Sequence, residues 1–308
     1  MALLFGLFGP IDAATSTSAR PPRLDFWTGL PAPVRAYLAD DIKRLIGWTF
    51  DAAGSRARLS AGQIIDAQST FASVPGFAPP TPMHALRACY RIERVFDAHN
   101  GYYGIEFAAL DDSGKVVAVL LLNRLFRLPV ALQEPVGVLT DVVTIGAMLA
   151  GFETPALADA EAAAETAWGD AAVLGVPLIA GGQSQAGGTA QLQAALLLKQ
   201  DPARAVGFVT FNAAHALASV HRLGLAGEDV AGFNFSKDLD PGCGPKTLLA
   251  NRIGFQIYIH RDGSGSTRPG DTTIFDAMAH PRQHLLDSFN DVSLAAALDS
   301  ALAASASH

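Results

Sequence analysis

Seven consecutive apolar residues, Val116–Leu122, constrain this chain more than any other stretch. The run is too short to cross a membrane as a helix, and it offers no polar position that an exposed helix would turn to water. It suits a strand buried on both faces, the situation in a mainly parallel sheet sandwiched by helices. The sequence after it alternates accordingly. Helical patterns over about 138–150 and 155–174, the second ending at Gly175 as a C-cap, lead to a short strand at Val176–Ala180. A helix over Ala190–Gln200, a strand over Val206–Phe211, a helix over Ala213–Leu223 and strands over Val230–Phe235 and Ile253–His260 follow. Helices near 274–290 and 292–304 close the chain. Such alternation predicts an α/β fold with a mainly parallel central sheet covered by helices on both faces.

Ahead of the apolar run, Ile92–Phe96 and Gly104–Leu110 are strand-like. The turn Asp111-Asp112-Ser113-Gly114 joins the second to Lys115–Leu122 as a hairpin. Residues 33–48 carry apolar side chains at helical spacing, and a second helix is expected over about 60–73. Pro75, Pro79, Pro80 and Pro82 then break regular structure. Residues 1–30 read as an N-terminal arm or linker, so 31–308 is expected as one domain with a helical N-terminal segment over 31–90.

Composition removes several function classes. Half of the residues are hydrophobic and 17% are charged, enough apolar surface for a large core. A formal net charge of -7 with no basic stripe speaks against nucleic-acid binding. Cys89 and Cys243 are too few and too far apart for a zinc cluster, and read as two free thiols. No His-Glu-x-x-His run calls for a metal, and no cofactor is expected. The apolar opening, Met1–Pro10, lacks the positive n-region of a signal peptide, and no run of about 20 apolar residues suggests a membrane span. The compartment is left open by the sequence, with the cytoplasm or non-classical secretion as the options. The opening segment reads as a helix packed on the body or a disordered end, with transient contact to a lipid surface as the alternative.

The chemistry points to residues 181–188, Gly-Gly-Gln-Ser184-Gln-Ala-Gly-Gly, set between the strand ending at Ala180 and an apolar helix. A strand-to-helix turn with small residues two before and two after a serine is the setting of a nucleophile elbow. Gly182 and Ala186 meet that need, and the N–H of Gln185 at the helix start would serve as an oxyanion donor. Neither Gly-x-Gly-x-x-Gly nor the P-loop Lys-Ser/Thr pair is present, which sets nucleotide-binding turns aside. A serine needs a histidine, and the histidine an orienting acid. In the chain order of such sites the acid follows the second strand after the elbow, where Asp238 is the first candidate and Asp240 the second. The histidine follows the next strand, where His280 is favoured and His284 is the alternative. His260, beside Arg261-Asp262-Gly263, reads as a turn residue, and His215 and His221 as packing or surface residues. Asn123 or Arg124, after the first buried strand, would supply the second oxyanion donor.

These residues together resemble the class 3 (fungal-type) lipase family of the α/β-hydrolase superfamily. The likeness lies in the elbow around Ser184, the Gly207–Asn212 strand end, the Asn234-Phe-Ser-Lys-Asp238-Leu-Asp-Pro241 acid loop and His280-Pro-Arg-Gln-His284-Leu285, and it covers about 92–290. It implies an α/β-hydrolase fold and a carboxyl-ester hydrolase, a lipase or esterase with phospholipase A1-like activity among the options, acting on a small-molecule or lipid ester. Gln183, Gln185 and Ala186 depart from the family's usual elbow, and Leu122-Asn123-Arg124 stands where the family has Arg-Gly-Thr or Ser. Those departures keep two alternatives in view, a non-catalytic module that binds an apolar ligand or partner, and a thioesterase or acyltransferase on the same triad. The Phe/Leu/Pro-rich segment 125–130 would suit an acyl pocket or lid. The sequence does not determine the oligomeric state.

Overall fold

The computed structural model describes residues 24–54, 59–69, 85–124, 146–241 and 243–306, except 149, 246–250, 252, 272, 281–282 and 284–285. Among the described residues nine strands form one sheet in sequence order. β1 (Ile64–Ile65), β2 (Cys89–Asp97), β3 (Tyr103–Leu110) and β4 (Val116–Arg124) are antiparallel neighbours. From β4 through β5 (Leu178–Gln183), β6 (Val206–Phe211), β7 (Gly232–Lys237) and β8 (Phe255–Ile259) the pairing is parallel. A two-residue β9 (Gly265–Ser266) closes the edge antiparallel to β8.

Sequential order in a parallel sheet has a geometric consequence. Right-handed crossovers place every connecting helix on one face. The connectors α3 (Pro155–Leu174), α4 (Ser184–Gln200) and α5 (Leu217–Arg222) do pack side by side in one layer. The opposite face must then be covered from the chain's ends. α1 (Asp25–Thr28), α2 (Ala32–Gly54) and α7 (Leu294–Ala306) do this, with α2 lying over β3–β6 and against α7. Both faces are thus sealed, which is why Val117–Leu122 can be buried on alternate and intervening positions alike. This is the α/β-hydrolase arrangement, with a short helix α6 (Ile274–Met278) in the segment between β9 and α7.

Local chemistry accounts for several boundaries. Thr154 caps α3 by accepting the Leu157 N–H at 3.3 Å, and Gly175 ends it in the left-handed region at φ 66°. In the β3–β4 hairpin, Asp111 accepts N–H groups from Ser113 and Lys115, both at 2.9 Å.

Several helix and strand bounds shift, the 213–223 helix starting only at Leu217 and the 190–200 helix already at Ser184, and three further expectations differ. The stretch 60–73 is not helical where described: Gly62 turns the chain at φ 84°, Ile64 and Ile65 pair with Arg91 and Tyr90, and Asp66 closes a turn onto Gln68 and Ser69. Two apolar residues with turn formers on both sides hold a strand pairing better than a helical turn. Phe26 and Trp27, placed in the arm, are buried against Phe233 at 5.8 and 5.2 Å between ring centroids. Within the predicted helix over 274–290, the α-helix ends at Met278 and Leu286–Phe289 is a 3-10 turn. Residues 1–23 and 125–145, which include the opening segment, the 125–130 segment and most of the 138–150 helix, lie outside the described residues.

Candidate active site

Ser184 begins α4 immediately after β5, at φ 54°. Among the described residues only Ser184 and Asn212 hold a positive φ without being glycine. That region costs an L-residue on the order of 1–3 kcal/mol, so the surrounding packing must enforce it. Several close approaches do so. A Cβ on Gly182 would stand 2.4 Å from the Ala186 carbonyl oxygen. One on Gly187 would stand 2.6 Å from the Ala213 methyl, and one on Gly188 2.6 Å from a Met148 methyl. The Ser184 carbonyl accepts the Ala214 N–H at 3.0 Å, which ties the turn to the end of β6. The serine is partly exposed while Gln185 and Ala186 below it are buried. The Gln185 N–H lies in the first turn of α4, where helix N–H groups favour negative charge.

Beneath this turn lies a buried polar floor. Asn123 donates through Nδ2 to the Gly181 carbonyl at 3.2 Å and to Gln193 Oε1 at 2.8 Å. Its Oδ1 accepts the Tyr102 hydroxyl at 2.8 Å and Gln193 Nε2 at 3.2 Å. Gln193 also donates to the Ala160 carbonyl at 2.8 Å. The Asn123 side chain is therefore spent on bracing β4, β5, α3 and α4. The Arg124 guanidinium, 1% exposed, lies over the Phe50 ring at 5.4 Å. Both residues proposed as oxyanion donors sit inside β4, with Arg124 as its last residue.

The turn after β7 holds both candidate acids, and they meet different neighbours. The Asp238 carboxylate bonds His260 Nδ1 through Oδ2 and accepts the Gly270 N–H at 3.0 Å through Oδ1. His260 Nε2 faces Ser266 Oγ at 2.9 Å on β9. The Ser266 hydroxyl also donates to the Arg268 carbonyl at 2.6 Å. The partner of Asp238 is thus His260, a residue expected only to shape a turn, and not His280. The reason is topological: β7 and β8 are parallel neighbours, so the residues just beyond their ends, 238 and 260, stand side by side.

Asp240 is fully buried. Its neighbour Cys243 is 2% exposed. Burial pushes the Cys243 thiol well above its ordinary range, and the Asp240 charge adds to this. His280 is half-buried after α6, with Nδ1 against the Asp276 carbonyl at 2.7 Å. Asn212, at the end of β6, donates to the Gln283 carbonyl at 2.8 Å and accepts the Lys237 N–H at 2.9 Å. That bond holds Gln283 at the end of β6. His284 lies outside the described residues. Sequence reasoning missed His260 and the Asn123–Gln193 floor. An adjacent-strand argument could have found His260, since it requires only that residues ending neighbouring parallel strands be compared.

No protein-family model and no curated protein matches the chain. Among solved structures it is similar to a propeptide complex of Rhizomucor miehei lipase, at 12% identity over 80% of this chain and 79% of that one, with a TM-score of 0.46. A triacylglycerol lipase from Penicillium expansum is 15% identical over 78% and 88%, with a TM-score of 0.41. Lipase II from Rhizopus niveus is 12% identical over 75% and 82%, with a TM-score of 0.40.

Proposed function

We propose that the chain is a serine carboxyl-ester hydrolase, a lipase- or esterase-like enzyme with Ser184 as nucleophile. The observation that carries this reading is the strained backbone at Ser184, φ 54°, at a strand-to-helix turn built from residues too crowded for any side chain at 182 or 187. Strain of this kind is maintained by surrounding structure, and it presents the hydroxyl above the sheet end over a helix N-terminus.

In the proposed reaction Ser184 Oγ attacks the acyl carbonyl while a histidine takes its proton. The Gln185 N–H holds the oxyanion, the protonated histidine delivers its proton to the leaving alcohol, and water then cleaves the acyl-enzyme by the same relay. His280 is the base in this reading. Its Nδ1 is anchored on the Asp276 carbonyl, which leaves Nε2 as the basic nitrogen. The acid comes from the 238–240 turn. Phe275 and Met278, 79% and 66% exposed on α6 just before His280, support an apolar acyl or lipid substrate beside the site.

The test is hydrolysis of short-chain p-nitrophenyl esters with an acyl-enzyme burst. Wild type should turn over and Ser184→Ala should lose on the order of 10³-fold or more in kcat/KM. No turnover by wild type, or turnover that survives Ser184→Ala, contradicts the proposal.

A further inference from the structure

A cleft of about 370 Å³ lies between α2, the 85–88 segment and the 290–293 turn that leads into α7. Its walls are fixed by bonds of the fold itself. The Asp41 carboxylate on α2 accepts the Arg87 N–H at 3.1 Å, the Ala88 N–H at 3.2 Å and the Tyr90 hydroxyl at 2.7 Å. Asp40 accepts the Leu294 N–H at 3.2 Å, which ties α2 to the first turn of α7. Lys43 donates to Asn290 Oδ1 at 2.6 Å, and the Lys237 ammonium lies over the Phe289 ring at 5.2 Å, so the turn is held from two sides. A preformed cleft loses less on binding than one that must first be ordered.

What these bonds leave over is a set of donors. The Arg44 side chain, 15% exposed, reaches Asp41 through Nη1 at 3.4 Å, and its buried Nε has no hydrogen-bond partner among the described residues. A buried N–H without an acceptor is unfavourable, and a ligand that supplies one relieves it. Arg87 is exposed at the rim, and its guanidinium makes no hydrogen bond or ion pair among the described residues. Asn290 spends its side-chain oxygen on Lys43, which leaves its amide N–H groups. Ser293 Oγ accepts the Ala296 N–H at 3.4 Å, which leaves its hydroxyl proton. Ser293 also stands at the N-terminus of the 13-residue α7, where backbone N–H groups favour negative charge. The acceptors are fewer. One oxygen of Asp40 is taken by Leu294, and Asp291 is exposed at the edge.

We infer that this cleft binds a small organic anion, a carboxylate or phosphate monoester that also carries hydroxyl groups. The anionic end sits between Arg44 and Arg87, because the planar guanidinium fork suits groups with two or three acceptor oxygens. The hydroxyls meet Asn290, Ser293 and the Asp291 carboxylate. The volume of about 370 Å³ lies at the lower end for ligand sites, which fits a molecule of few carbons. None of these residues belongs to the Ser184 site, so the inference is independent of the esterase reading.

Isothermal titration calorimetry on the full chain tests this, with sn-glycerol 3-phosphate and glycerate as the anions, glycerol as the neutral control and ionic strength matched throughout. The expected result is one-to-one binding of at least one anion with a Kd of about 1 mM or below, and no heat from glycerol. The tighter of the two anions identifies the charged group as phosphate or carboxylate. Arg87→Ala, at the exposed rim, should weaken binding at least ~tenfold, and Arg44→Gln should do the same. Thermal melts check that each variant is folded, and Arg87→Ala decides alone if Arg44→Gln is not. Arg222→Ala, which removes an exposed arginine on α5, should bind as wild type does. No binding of either anion at about 10 mM, wild-type affinity in folded Arg87→Ala, or an equal loss in Arg222→Ala overturns the inference.

Discussion

Two serines in this molecule stand in contrasting settings. Ser266 has the contacts that a search for triads would accept, with His260 Nε2 at 2.9 Å and Asp238 behind the ring. Yet it lies on a two-residue edge strand with an ordinary backbone, and its hydroxyl also donates to the Arg268 carbonyl. Ser184 has a strained backbone, it starts a buried 17-residue helix, and crowded glycines fix its turn. The difference teaches that side-chain distances alone do not make a nucleophile. The backbone setting does, because it exposes the hydroxyl and supplies the N–H groups that would meet developing negative charge.

The contrast breaks most sharply on activity. Ser184→Ala should lose on the order of 10³-fold or more in esterase kcat/KM, and Ser266→Ala should stay within about threefold of wild type. The reverse pattern would make the edge serine the nucleophile. Next in size is the elbow's own crowding. Gly182→Ala forces a methyl toward the Ala186 carbonyl and should cost about 2–4 kcal/mol in chemical denaturation, together with the activity. An unchanged denaturation midpoint would mean that the turn is not held by contact. Beside Ser266, His260→Ala leaves the buried Asp238 carboxylate without its ring partner and should cost about 1–3 kcal/mol with little effect on kcat.

The smallest effect lies away from both serines. Glu106 is buried on β3 beside Asp170, Arg94 and Glu93, and burial first, then the Asp170 charge, raise its carboxyl to about 7 from 4.5. The folded chain holds this proton where the unfolded chain has lost it, so stability falls as pH rises from about 4.5 to about 7. Glu106→Gln should remove on the order of 1–2 kcal/mol of that loss, read as a smaller drop in melting temperature between pH 5 and 8 than in wild type. An identical drop in both proteins would show that Glu106 does not titrate in this window.

Much of this was legible in the sequence where one local pattern sufficed. The 206–211 strand, the Gly175 cap, the 111–114 turn and the serine between strand and helix each announce themselves within a few residues. The partners across the sheet end were not. Asp238 and His260 are 22 residues apart, and only the adjacency of β7 and β8 brings them together. Asn123, Gln193 and Tyr102 are ordinary polar residues until the fold buries all three at one point. Cys243 reads as a spare thiol until the turn closed by the Gly244 N–H on the Asp240 carbonyl buries it. Phe26 and Trp27 sit in an arm-like stretch, and their burial follows from a sheet face that the crossover helices leave open.

The contrast between the two serines is tested most directly by site mapping. The full chain would be treated with a fluorophosphonate, digested, and the modified peptide sequenced by mass spectrometry. The account predicts one adduct per chain, on Ser184, lost in Ser184→Ala and kept in Ser266→Ala. An adduct on Ser266, or labelling that persists in Ser184→Ala, would contradict it.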